Sequence, residues 1–108
     1  MATYTAVNLA DGALATGSLT ALFTVSALTI EVIKAFTVTN PTGSAIAMTV
    51  KLLPRTAGTA RTLVSAYSLP AGATIIVAEA LNHAVEAGGQ LQLQGNGLEY
   101  VVSSMRIV

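Results

Sequence analysis

The strongest constraint on how this chain can fold is a period of two in its apolar residues. Leu91 and Leu93 alternate with Gln90, Gln92 and Gln94. Ile46, Met48, Val50 and Leu52 alternate with Ala47, Thr49, Lys51 and Leu53, and between 30 and 38 Ile30, Val32, Phe36 and Val38 share one parity, with Lys34 as the intruder. Successive side chains of a strand point to opposite faces, so alternation of this kind describes strands buried on one side only. Residues 4–7, 19–25, 63–69, 73–77 and 99–108 add further β-branched-rich stretches, for about eight strands in all.

Turn signals separate these stretches. Asp11-Gly12 is the first, and Pro70-Ala71-Gly72 is another. Asn40-Pro41-Thr42-Gly43 has Asn, Pro and Gly where a β-turn prefers them. Asn96-Gly97 is the strongest, because Asn-Gly accepts the positive φ angles of a type I′ hairpin. One segment reads two ways. Ile76, Val77, Ala80, Leu81, Ala84 and Val85 fall on one helical stripe that Gly88-Gly89 would stop. The preferred alternative is a strand through Val77, at most one short helical turn near 79–87, and a return into the Leu91 strand. The expected architecture is all-β: one antiparallel β-sandwich domain over 1–108, with 1–12 as a possible partner-contacting N-terminal arm. Strand order is invisible to periodicity, so a jelly roll and an immunoglobulin-like sandwich both stay open.

The surface such strands present is unusual. Only 9% of residues are charged and 53% are apolar, whereas a free-standing domain is about a quarter charged. The candidate outward positions are mostly Ala, Thr, Ser and Gln, as expected for a protein packed against other subunits. The five basic residues, Lys34, Lys51, Arg55, Arg61 and Arg106, balance five acidic ones without forming a run. That argues against nucleic acid and against a polybasic membrane anchor. The apolar stretch 21–36 is too short for a membrane span and is broken by Thr, Ser, Glu31 and Lys34. No signal-peptide pattern opens the chain, so the reading is a protein made without export.

The inventory for catalysis is thin. The absence of cysteine removes thiol nucleophiles and thiolate metal sites together. His83 is the one histidine and Asp11 the one aspartate, with no spacing that favours a triad. A metal held by His83 with Glu79 or Glu86 would lack further ligands, and His83 reads as a loop or surface residue. The glutamates Glu31, Glu79, Glu86 and Glu99 read as solvated or ion-paired, since a carbohydrate cleft would want aromatic platforms and the chain has no Trp. No phosphate loop is present. No catalytic, metal or cofactor residue is assigned.

Residues 29–108 resemble a family of short β-sandwich proteins encoded among tailed-bacteriophage virion genes. Three places carry the resemblance: Ala35-Phe-Thr-Val-Thr-Asn-Pro-Thr-Gly-Ser-Ala45 with Met48-Thr-Val-Lys-Leu-Leu-Pro54; Leu63-Val-Ser-Ala-Tyr-Ser-Leu-Pro-Ala-Gly72; and Ala84-Val-Glu-Ala-Gly-Gly-Gln-Leu91. Gly89 departs from the pattern, standing where an aspartate is more usual. The resemblance implies a non-enzymatic virion part located in the particle and made in the host cytoplasm. It would be a capsid decoration (cement) protein, or alternatively a neck or tail component, partnered by the major capsid protein or other virion subunits. A homo-oligomer, dimer or trimer, is expected from closed symmetry. A small carbohydrate-binding sandwich is the reading from another class, and it requires an exposed aromatic cluster at Tyr67 or Tyr100. Chain ends and polar loops are freest to reach a neighbour. The candidate contacts are therefore Ala2, Thr3, Tyr4, Arg55, Arg61, Arg106 and Val108.

Overall fold

A computed structural model describes residues 3–108, so Ala2 lies outside the described residues. The described residues form nine strands: β1 (Tyr4–Ala13), β2 (Thr20–Thr24), β3 (Ile30–Thr39), β4 (Ile46–Leu53), β5 (Arg61–Leu69), β6 (Thr74–Ile76), β7 (Ala84–Val85), β8 (Gln90–Gln94) and β9 (Glu99–Ile107). They make two antiparallel sheets. Sheet I has the order β1-β9-β3-β6, with β7 also paired to β3, and sheet II has the order β2-β8-β4-β5.

The order decides between the two sandwiches left open by periodicity. The pairs β1·β9, β2·β8, β3·β6 and β4·β5 nest inside one another, as if one long hairpin had been rolled up. With β6 and β7 taken as one interrupted strand, this is an eight-stranded jelly roll. The interruption falls in the ambiguous segment, where a 3-10 turn at Ala78–Ala80 links β6 to β7 and buries Ala80. The short-turn reading was the right one.

Rolling up has a consequence for the Asn96-Gly97 turn. Among the described strands only β4 and β5 are both consecutive and paired, so Asn96-Gly97 carries the chain from sheet II to sheet I and does not close a hairpin. Its geometry agrees. Gly97 has φ 96° while Asn96 is not among the positive-φ residues, and Leu98 N–H donates to Gly95 O at 3.2 Å. Positive φ at the second central residue alone is the pattern of a type II turn, in place of the expected I′.

The core lies between the sheets and is built from Ile33, Phe36, Val38, Met48, Val50, Leu69, Val77, Val85, Leu91, Leu93, Leu98 and Val102, with Phe23 packed against it. The alternation of β4 and β8 faces it as expected. The first half of β3 does not: Glu31 and Ile33 point inward and Ile30 and Val32 outward. The cause is a β-bulge between Ile33 and Ala35, where the pairing with β9 slips by one residue. Lys34 is the extra residue, and the inward parity changes across it. A matching bulge in β1, between Asn8 and Ala10, faces the other side of β9 at Ser103 and Val102. Sheet I therefore bends across one row.

Candidate assembly surface

Each sandwich sheet has one outer face, and the two differ in chemistry. On sheet II the row Gln90, Gln92 and Gln94 is bonded to its own surroundings. Gln92 Nε2 donates to Gln90 Oε1 at 3.0 Å, Gln90 Nε2 to Thr24 Oγ1 at 3.2 Å, and Gln94 Nε2 to Gly17 O at 3.1 Å. Lys51 stands opposite Gln92 and Thr62. The amide nitrogens of this row are thus paired within the chain, while Gln92 Oε1 is buried without a hydrogen-bond partner.

Sheet I presents the opposite character. Strand register sets Tyr4, Ile107 and Ile30 in one cross-strand row, and Ala6, Met105, Val32 and Ala84 in the next. Beyond the bulges lies the row Asp11, Val101, Thr37 and Ile76. Between them stands the row Asn8, Ser103 and Ala35, with Lys34 in the bulge, so Tyr4 (66% exposed) and the pair Ile76 and Val101 (64% and 49%) belong to two apolar patches separated by a polar band. Charge enters only at Lys34, in the bulge, and at Asp11 and Glu99. Both acids line a hollow of about 580 Å³ together with Thr37, Thr39 and Val101. Asp11 accepts a hydrogen bond from Asn8 Nδ2 at 2.9 Å.

The six expected contact residues that are described lie toward one end of the sandwich, where the termini meet the β2–β3, β4–β5 and β7–β8 loops. Thr3 N–H donates to Val108 O at 2.8 Å, and Val108 N–H donates back to Thr3 O at 3.0 Å. Tyr4 sits opposite Ile107. Arg55 forms an exposed ion pair with Glu86 at 3.3 Å, of the kind that contributes little to stability. Arg106 has an internal role: its Nε donates to Glu31 Oε2 at 2.6 Å, and Ser104 Oγ donates to Glu31 Oε1 at 2.7 Å. Glu31 is buried, while the Arg106 side chain keeps 39% exposure. Arg61 opens β5 at the foot of the same β4–β5 loop, exposed and without an ion pair among the described residues. Of the segment 1–12, expected as a possible partner-contacting arm, residues 4–12 lie in the edge strand β1. The apolar face itself was missed, because the bulge in β3 hides its parity.

The chemical groups are dispersed. His83 is exposed in a turn, its carbonyl accepting from Ile33 N–H at 3.0 Å. No group of three or more His, Cys, Asp or Glu side chains able to hold a metal occurs among the described residues. Tyr4 and Tyr100 lie at opposite ends of sheet I and Tyr67 lies on sheet II, so they form no aromatic platform. Among the described residues no helix is long and apolar enough to cross a membrane.

No family model matches the chain, and no curated protein matches it. Among solved structures, it is similar to a chain in the structure of infectious bursal disease virus Gx strain, with a TM-score of 0.58 and 14% identity over 99% of this chain. A chain from the Gt strain of the same virus gives a TM-score of 0.47 at 11% identity. This chain spans 32% of each of those chains, about a third of their length. At such identity the likeness concerns the fold, an all-β sandwich of two antiparallel sheets.

Proposed function

We propose that the protein is a non-enzymatic structural subunit of a virus particle, most specifically a decoration or cement protein that binds the assembled head of a tailed bacteriophage. The observation that carries the reading is the outer face of sheet I, where exposed apolar patches around Tyr4 and Ile30 and around Val101 and Ile76 are left uncovered in the single chain. Fold likeness to a chain from a virus structure supports a particle component. Jelly rolls also serve other functions, so the fold alone decides nothing. The absence of an aromatic platform disfavours carbohydrate binding as the alternative.

A shell offers many symmetry-related sites, and modest contacts repeated over them add up. Ala, Thr, Val and Ile suit such contacts because they lose little side-chain entropy on burial and leave no charge unpaired. The purified protein is expected to bind expanded, undecorated capsids of the phage that encodes it and to raise their melting temperature. Quantitative mass spectrometry of purified particles should find it in hundreds of copies. A dozen or fewer would move it to the neck or tail, and absence from the particle would overturn the proposal.

A further inference from the structure

The turn that carries the chain from β8 to β9 holds its one Asn-Gly step, Asn96-Gly97, and Asn96 is exposed. In water such a step is chemically unstable. The Gly97 nitrogen gives its proton to solvent and bonds to Asn96 Cγ, while Nδ2 leaves as ammonia. Water then opens the five-membered ring at either carbonyl, leaving aspartate or isoaspartate. Glycine favours this reaction because no side chain crowds the attacking nitrogen, whereas Asn40 precedes Pro41, whose nitrogen carries no proton.

The folded turn withholds both conditions the reaction needs. Gly97 N–H donates to Leu14 O at 2.9 Å, so the attacking nitrogen is engaged. Ring closure must also bring Gly97 N alongside Asn96 Cβ. That backbone rotation belongs to the mirror-image II′ turn and not to the type II turn formed here. Turning the peptide breaks the Leu14 bond. Leu14 follows directly on β1, is 5% exposed in the core, and donates its own N–H to Leu98 O at 2.8 Å. We infer that Asn96 is a covalent modification site gated by the end of β1: it deamidates when Leu14 releases Gly97 and stays intact while the edge strand is docked. The product adds a carboxylate at the junction between the sheets, and isoaspartate also lengthens the main chain of the turn by one carbon. The inference holds whether or not the chain is part of a virus particle.

Peptide mass spectrometry of the full chain, held in mildly alkaline buffer and sampled over weeks, tests this. Conversion at Asn96 should run about tenfold slower or more in the native chain than in the same chain unfolded in guanidinium chloride, because it proceeds from a locally opened state. Leu14→Ala keeps the backbone groups but loosens their anchor. It should speed native conversion about threefold or more while circular dichroism still shows a folded chain. Hydrogen exchange of the Gly97 amide in the parent should show protection, and it decides the matter if Leu14→Ala does not fold. Equal rates in the native and unfolded parent, an unprotected Gly97 amide, or a folded Leu14→Ala converting at the parent's rate would each overturn the inference. So would an Asn96 that stays unmodified even in guanidinium chloride.

Discussion

Asn40 and Glu31 are the buried polar side chains with most at stake. Asn40 Nδ2 donates to Ser44 O at 2.8 Å and Leu69 O at 3.0 Å, while Oδ1 accepts from Thr42 N–H at 3.0 Å and Thr42 Oγ1 at 2.7 Å. The side chain thereby ties the β3–β4 turn to the end of β5. Asn40→Ala takes this donor from Leu69 O, while Ser44 O still accepts from Thr42 Oγ1 at 2.9 Å, and should cost about 1–3 kcal/mol in urea denaturation; a loss under about 0.5 kcal/mol would show the turns hold without it. For Glu31, Arg106→Ala leaves a buried carboxylate with Ser104 alone. The expected loss is about 2–3 kcal/mol, below the usual range for an enclosed pair because Arg106 retains water. The double variant Glu31→Leu with Arg106→Met should recover most of that stability. Asn40 was legible in the sequence only as the first residue of a turn. Its long-range partner Leu69 depends on tertiary wrapping that no local pattern encodes.

Among the strands, β4 and β8 faced the core as their alternation indicates, because nothing interrupts the inward run Met48, Val50, Leu52 or the pair Leu91, Leu93. β3 misled because a bulge adds one residue, and the parity of Ile30 and Val32 then belongs to solvent. The signal was present as the intruder Lys34, but a charged residue on an apolar parity reads equally as a tolerated exception. The bulge makes a prediction at this scale. Deleting Lys34 restores a regular ladder with both faces kept, so the variant should fold with a modest loss in melting temperature. Deleting Thr37 reverses the residues that follow it and should abolish cooperative unfolding. Comparable losses for both deletions would show that the bulge does not set the register. The glycine that departs from the phage pattern also has a local reason. A Cβ on Gly89 would lie 2.7 Å from Leu53 O and clash with Val85, which excludes aspartate at that position in this backbone.

At the scale of the molecule, low charge was legible from composition, but its placement was not. The glutamine row that stands out in the sequence has its amide nitrogens bonded within the chain. The face proposed as the contact is assembled from four or five strands whose outward residues are far apart in sequence. Only the nesting of the jelly roll brings Tyr4, Ile30, Val32, Ile76, Val101 and Met105 onto one side. If this face meets the shell, Val101→Asp should abolish binding to capsids while leaving the melting temperature of the free protein nearly unchanged. Gln92→Glu on sheet II should leave binding intact. The most direct measurement is hydroxyl-radical footprinting of the free protein and of purified particles, read at Met105 and Tyr4 on sheet I and at Tyr67 on sheet II. The account predicts strong protection of Met105 in the particle with Tyr67 still labelled; equal labelling of Met105 in both states, or protection confined to Tyr67, would contradict it.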